Sequence, residues 1–175
     1  MVNHMHGDRV RNLLKATPSA PLTFLIESGA VVAPLTFLKA SSGSEPGEFD
    51  GGVYAPTGEV ITSGLHRKNG LSNKPLPLSS LGQPRMVPGC HVFGGLLKDE
   101  HWGHFITESL SRLWVLPELV SRKVSSVVFY TRTPGVELPR FARDMFDLLM
   151  PGLSITLVRE PTQFETLCIP EMAGH

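Results

Sequence analysis

A chain of 175 residues with 41% hydrophobic and 18% charged residues has the composition of one ordinary globular domain. Sixteen basic residues balance 16 acidic ones, which excludes the basic footprint of a nucleic-acid-binding protein. Cys90 and Cys168 lie far apart and have no CxxC companion, so we expect a reduced, cytoplasmic protein without a structural disulfide. No run approaches the roughly 20 apolar residues of a membrane-spanning helix, so no integral membrane segment is expected.

The first predicted unit, residues 1–52, is a polar tail followed by short irregular strands. The pentapeptide Pro-Leu-Thr-Phe-Leu occurs at residues 21–25 and again at residues 34–38. Two copies are too few for a solenoid, so they predict two short strands on either side of a turn. The Ser-, Gly- and Pro-rich residues 41–52 predict a loop.

The second predicted unit, residues 53–89, combines a hairpin with a long loop. Two short apolar runs flank Pro56-Thr57-Gly58 and predict the hairpin over residues 53–62. Residues 66–89 are rich in Pro, Gly, Ser and Asn, which predicts a surface loop. This loop begins with the basic cluster His66-Arg67-Lys68, which is either solvated or in contact with a phosphorylated or acidic ligand.

The third predicted unit, residues 90–175, alternates strands with helices. The apolar runs predict strands over residues 90–93, 124–130, 153–157 and 167–169. Helical spacing of apolar residues predicts helices over residues 103–116 and 138–150. This alternation predicts an α/β fold with a Rossmann-like parallel sheet flanked by helices, in which the three units form one incomplete domain.

The predicted helix over residues 103–116 carries a polar row, because His104, Glu108 and Arg112 recur every four residues. A neighbouring stripe is expected to be buried: Phe105, Ile106, Leu110, Leu113 and Trp114. Near the helix start the dipole disfavours an imidazolium, so a neutral His104 can act as a base. Glu108 can orient that ring or act as the base itself. A purely structural alternative is an exposed ion pair between Glu108 and Arg112.

A longer motif surrounds this row. Gly94-Gly95, a spacer that contains His101 and Trp102, and the residues GHFITESLSRLW at 103–114 together resemble the signature of glycosyltransferase family 61. The family includes capsular-polysaccharide and related glycan-building transferases. The resemblance implies transfer of a sugar from a nucleotide-sugar donor to a glycan hydroxyl in polysaccharide biosynthesis. It also implies a GT-B architecture, of which this chain would be the N-terminal half without the donor-binding half.

The resemblance and the residue chemistry together predict the site. His104 and Glu108 are the candidate catalytic pair. Four residues are candidates for substrate binding: Gly94 and Gly95 through close backbone approach, Trp102 by stacking on a sugar, and Arg112 as an anion contact. Trp102 is equally suited to fix the helix start to the core. No cofactor or metal is expected, because no Asp-x-Asp motif occurs and no nearby Asp or Cys completes a ligand set with His101 and His104.

Two functions therefore remain open from the sequence. The first is the family 61 transferase, with the nucleotide sugar and the glycan acceptor as partners and with a missing C-terminal half. The second is a non-catalytic α/β remnant that binds a glycan or a partner chain. In either case a missing half would leave apolar surface uncovered, so self-association is expected unless a C-terminal partner is present.

Overall fold

The computed structural model describes residues 21–37, 48–68, 71–131 and 135–173. Over these ranges, nine strands join one mixed sheet. The strands are β1 (Phe24–Ser28), β2 (Val31–Phe37), β3 (Glu48–Tyr54), β4 (Arg67–Lys68), β5 (Leu71–Asn73), β6 (Arg85–Leu97), β7 (Val124–Thr131), β8 (Ser154–Val158) and β9 (Thr162–Pro170). Their order is β4-β5-β3-β2-β9-β6-β7-β8, and β1 also pairs with β9. The predicted tail over residues 1–20 and most of the predicted loop at 41–52 lie outside the described residues.

The strand directions overturn the predicted fold class. β9, β6, β7 and β8 run parallel to one another, but β1 and β2 pair antiparallel with β9, and β3 pairs antiparallel with β2. The connection between β2 and β3 is shorter than the dozen or so residues that a parallel crossover needs. Helical layers also do not cover both faces, because helices are few in the described ranges. The prediction of a helix-flanked Rossmann-like sheet, and of the N-terminal half of a GT-B enzyme, is therefore wrong.

β1 and β2 follow one another along a single edge of β9. β2 pairs with the first residues of β9 and β1 with the later ones, both in the antiparallel direction. Between them, Gly29 has a φ of 73° and its amide donates to the Glu165 carbonyl. The two predicted short strands are thus present as β1 and β2, which run in the same direction along β9, so the chain does not reverse at Gly29.

The sheet curls, so that β2 also lies against β7 and β8. Because side chains alternate along a strand, β6 and β7 contribute to two separate cores. The inner core is enclosed by the curl and includes Phe49, Phe93, Tyr130, Phe164 and Leu167. The outer core lies under the helical segments and includes Val92, Val127, Phe129, Phe146 and Cys168. The candidate site lies where the helical segment after β6 meets that strand.

The predicted continuous helix over residues 103–116 is replaced by three short pieces. α1 (Trp102–His104) is one α-helical turn, Phe105–Ser109 form a π-helical turn, and Leu113–Arg122 form a 3-10 helix that passes through Pro117. The Leu110 amide donates to the Phe105 carbonyl at 3.2 Å, which closes the wider π turn. None of the helices in the described ranges is long and apolar enough to cross a bilayer.

The regular elements of the second half agree with the sequence pattern. β7 and β8 coincide with the predicted strands, and β9 contains the predicted residues 167–169. The helix predicted over residues 138–150 is α2 (Arg140–Leu149), which begins after Pro139. Phe146 of α2 is buried and stacks on Phe129 of β7, with ring centroids 5.3 Å apart. The apolar face of α2 therefore covers the outer side of β7.

The region between β3 and β6 contains more structure than predicted. The predicted hairpin is present as an antiparallel bridge between Tyr54 and Val60, and the Ala55 amide donates to the Glu59 carbonyl at 2.8 Å. The predicted loop over residues 66–89 instead holds β4, β5, a 3-10 turn (Leu78–Ser80) and the start of β6. These short elements fix the segment that carries His66.

Candidate functional site

The π turn directs polar side chains inward, where the sequence predicted apolar ones. Glu108 is 2% exposed and Arg112 is 3% exposed, whereas Ile106 is 37% exposed. A π turn contains an extra residue compared with an α-helical turn, so the following side chains leave the predicted four-residue row. Phe105 is buried as predicted, and the structural alternative of an exposed ion pair between Glu108 and Arg112 is wrong because both side chains are buried.

Nitrogen atoms of the His104, Lys98 and His66 side chains face the buried Glu108 carboxylate. Its Oε1 lies 2.7 Å from Nδ1 of His104. Its Oε2 lies 3.3 Å from Nζ of Lys98 and 3.7 Å from Nε2 of His66. These contacts come from three parts of the chain: α1, which holds His104, the residue after β6, and the segment before β4. One carboxylate thus links all three.

His104 combines a buried contact with an accessible ring. Its side chain is half-exposed, yet Nδ1 faces the carboxylate of Glu108. Because a carboxylate only accepts hydrogen bonds, Nδ1 carries the proton, and in the neutral ring the opposite nitrogen, Nε2, has a free lone pair. The predicted effect of a helix dipole on His104 has no support, because α1 is only three residues long. Glu108, rather than a helix end, sets the tautomer of His104.

Arg112, the predicted anion contact, directs its guanidinium at backbone carbonyls. Its guanidinium donates to the carbonyls of Ser63 at 2.6 Å, Leu65 at 3.2 Å, and Pro170. It also lies over the ring of Phe93, with Cζ 5.5 Å from the ring centroid. Burial lowers the pKa of Arg112 from its ordinary value. These contacts hold the segment before His66 against β9, so Arg112 supports the site from beneath.

Tyr130 anchors the same segment. Its hydroxyl donates to the Gly64 carbonyl at 3.0 Å. Complete burial raises the pKa of Tyr130 to about 12, so the hydroxyl stays protonated as a donor. On the far side, the His66 amide donates to Oδ1 of Asn73 at 2.7 Å. His66, the first residue of the predicted basic cluster, is therefore buried against Glu108 rather than solvated.

Gly94 and Gly95 allow close packing within the protein. A Cβ on Gly94 would lie 2.4 Å from two ring atoms of Phe129. Gly95 has a φ of 88°, and a Cβ there would lie 3.0 Å from Nε of Arg112. The pairing of β6 with β7 also shifts register between Phe93 and Gly95. These contacts explain the absence of side chains at Gly94 and Gly95 by packing, and the binding of substrate by both glycines stays a prediction.

Trp102 lies at the surface beside His104. Its indole is 49% exposed and stacks on Phe105, with ring centroids 5.9 Å apart. Phe141 of α2 meets the indole edge-on at 5.6 Å. Both sequence hypotheses for Trp102 are thus compatible with its position, because part of the ring packs on the outer core and part faces solvent. His101 is exposed as well, with its ring centroid 5.1 Å from that of His104.

Sequence reasoning missed Lys98 and Ser109. The Ser109 hydroxyl donates to the Leu96 carbonyl at 3.2 Å and accepts from the Lys98 amide at 2.7 Å. These bonds join the end of β6 to the π turn, which places the Lys98 side chain beside Glu108. Lys98 carries no motif signal, since a single lysine after a strand is an ordinary surface residue. In the sequence, Ser109 stands out only as part of the segment that resembles glycosyltransferase family 61.

The Glu108 carboxylate is ionised at neutral pH. Burial on its own raises the pKa of Glu108, but the hydrogen bond from His104 and the positive charge of Lys98 outweigh burial, with a smaller contribution from His66. The net result lowers the pKa below its ordinary value of 4.5. An ionised Glu108 suits the role of orienting His104 better than that of a proton donor. A carboxylate behind a half-exposed imidazole is an arrangement able to take a proton from a bound hydroxyl group.

We expect the stability of the protein to reveal this carboxylate through its pH dependence. A group whose pKa is lowered on folding stabilises the folded state above its unfolded pKa, and the contribution is lost as the pH falls through the folded pKa. Glu108→Gln should therefore cost about 2 kcal/mol at pH 7, and the difference from wild type should shrink below pH 4.5. Urea denaturation between pH 7 and pH 3 measures it. A difference that stays constant over this range contradicts the assignment, and exposed Glu118→Gln is the control.

No family model, curated protein or solved structure matches this chain. The chemistry of the site is therefore inferred from the residues of this chain alone. Among the described residues, no group of three or more His, Cys, Asp or Glu side chains is arranged to hold a metal ion. Around Glu108, the ammonium group of Lys98 lies where a cation would otherwise approach Oε2.

Proposed function

We propose that this protein transfers a sugar from a nucleotide-sugar donor to a hydroxyl group of a glycan acceptor, with His104 as the general base. One observation carries the proposal: the half-exposed His104 ring is hydrogen-bonded at 2.7 Å to the buried Glu108 carboxylate. The resemblance of residues 94–114 to glycosyltransferase family 61 supports a sugar as the group that is transferred.

The proposed step needs few groups. Nε2 of His104 takes the proton of the acceptor hydroxyl as that oxygen attacks the anomeric carbon of the donor. The bond from the anomeric carbon to the diphosphate oxygen breaks, and the nucleoside diphosphate leaves with the electron pair. Glu108 stabilises the resulting imidazolium through Nδ1, as the carboxylate does in a catalytic triad.

Trp102 supports a carbohydrate as the ligand. Its half-exposed indole lies within the same short segment as His104, and Phe105 and Phe141 hold it from behind and from the edge. An indole fixed in this way offers a flat apolar surface with little loss of conformational entropy on binding. The apolar face of a pyranose ring fits such a surface.

We expect His104→Ala to lower kcat by about a hundredfold, because the general base is lost. The assay uses the purified chain with a panel of nucleotide sugars and glycan acceptors, and follows release of the nucleoside diphosphate. His101→Ala is the matched control, because it removes a neighbouring exposed imidazole whose ring lies 5.1 Å from that of His104. A folded His104→Ala variant that keeps more than half of wild-type turnover rules out the base assignment.

The second candidate is a non-catalytic module that binds a partner chain. It is favoured by an apolar groove of about 430 Å³ between the 3-10 helix and α2, lined by Leu110, Leu113, Leu116, Pro117, Val120, Leu149 and Met150. Val120 at its rim is 80% exposed. The same assay separates the candidates, since release of a nucleoside diphosphate by the wild-type chain that is lost in His104→Ala excludes a non-catalytic module.

A further inference from the structure

We infer that Lys98 is a positioning residue of the candidate site, whose ammonium group keeps the buried Glu108 carboxylate ionised and directed at Nδ1 of His104. The catalytic consequence of this inference rests on the proposed function, but the electrostatic link between the two side chains does not. Lys98 would act through Glu108 and His104, without touching substrate.

The two carboxylate oxygens have separate partners. Oε1 faces His104 at 2.7 Å, while Oε2 faces Lys98 at 3.3 Å. The Lys98 side chain is 13% exposed and the Glu108 side chain 1% exposed, so little water separates the two charges. Opposite charges interact more strongly when they are shielded from water. With Lys98 on Oε2, the carboxylate keeps Oε1 available as an acceptor for His104.

Hydrogen bonds of the Ser109 side chain to the backbone of β6 and Lys98 support this arrangement. The Ser109 hydroxyl bonds both the Lys98 amide and the Leu96 carbonyl, and Ser109 directly follows Glu108. The position of Glu108 relative to the end of β6 is therefore set by one hydroxyl group. From this backbone position the Lys98 ammonium group lies 3.3 Å from Oε2. Because both side chains are largely buried, this contact differs from an ion pair between two exposed side chains.

The other charged groups around Glu108 do not replace Lys98. His66 faces Oε2 at 3.7 Å from the segment before β4, and His104 faces Oε1 from the preceding turn. Both are imidazoles, which do not carry a permanent positive charge at neutral pH. Arg112, one turn further on, directs its guanidinium at three backbone carbonyls. Among the described residues named here, Lys98 places a permanent positive charge 3.3 Å from Oε2 of this carboxylate.

The test follows the Glu108 carboxyl directly. Glutamate labelled with ¹³C at Cδ reports its protonation by NMR across a pH titration, and the Glu108 signal is assigned by its absence in Glu108→Gln. We expect the titration midpoint to move to higher pH in Lys98→Met and in Lys98→Gln, because burial is then opposed by fewer charges. Lys98→Gln keeps a hydrogen-bond donor and lacks the charge, so it also serves if Lys98→Met does not fold. Lys98→Arg should restore most of the wild-type midpoint.

Lys123→Met is the control for a general effect of lost positive charge on the Glu108 midpoint, because it removes an exposed lysine after the 3-10 helix. An unchanged Glu108 midpoint in folded Lys98→Gln, or a shift equal to that in Lys123→Met, overturns the inference. In the transfer assay, Lys98→Gln should lower kcat about tenfold with little change in KM and move the acidic limb of the pH profile upward. If the NMR midpoint shifts but no variant, wild type included, transfers sugar, the proposed function fails while the link from Lys98 to Glu108 stands.

Discussion

Arg112→Leu is expected to destabilise the folded protein by about 4 kcal/mol, because it removes a buried cation from three carbonyl acceptors. The guanidinium reaches Ser63, Leu65 and Pro170, which come from two separate parts of the chain. A leucine fills much of the volume but offers no donor, so the three carbonyls lose these hydrogen bonds in the interior. The measurement is the free energy of unfolding from urea denaturation, followed by far-ultraviolet circular dichroism.

Two further variants separate the causes of this loss. Arg112→Lys keeps the positive charge but not the planar fork of donors, so we expect an intermediate loss. Arg140→Leu removes an exposed arginine whose ion pair with Asp144 faces solvent, so stability should change little. If Arg112→Leu lies within 1 kcal/mol of wild type, apolar packing compensates for the lost donors and the anchoring role is wrong.

The sequence was sufficient for the local elements of the second half. The β-branched run at residues 124–130 leaves few alternatives to a buried strand, and β7 follows it closely. The apolar spacing after Pro139 likewise suits only a helix with one buried face, and α2 is that helix. Such elements are predictable because burial of their apolar side chains depends on spacing within the element itself.

The sheet as a whole was not predictable from the same patterns. β1 and β2 pair with β9 across 130 or more residues of chain, and nothing in an apolar pentapeptide specifies that partner or its direction. An alternation of strands and helices in the second half says nothing about antiparallel strands that arrive from the first half. The fold class was therefore wrong although several of its elements were right.

For the site, the sequence supplied the residue types and missed which of them are buried. A row with four-residue spacing identifies neighbours on a helix but does not determine which face is covered, and the π turn breaks the spacing after His104. Glu108 and His104 do meet, as an i, i+4 pair allows. Lys98 and His66 meet the same carboxylate through tertiary structure alone, so no local pattern could reveal them.

Gly94→Ala is expected to cost about 3 kcal/mol, because the new Cβ would lie 2.4 Å from Cε1 and Cζ of Phe129. The ring has little room to retreat: Phe129 is fully buried, and its other neighbour, Phe146, is stacked on it at 5.3 Å. Either β6 or the ring must shift, which disturbs the outer core beneath the site. The midpoint of urea unfolding measures the loss.

A second substitution shows whether the ring is the cause. In a Phe129→Leu background the aromatic edge is absent, so adding Gly94→Ala should cost clearly less than it does in the wild-type chain. Gly103→Ala is the matched control, because a Cβ there meets only ring atoms of His101 at 3.5 Å, an ordinary contact distance. Equal costs of Gly94→Ala with and without the Phe129 ring would show that the ring is not the cause of the loss. That result would favour close backbone approach to a ligand, because the ring would no longer account for the absence of a side chain at residue 94.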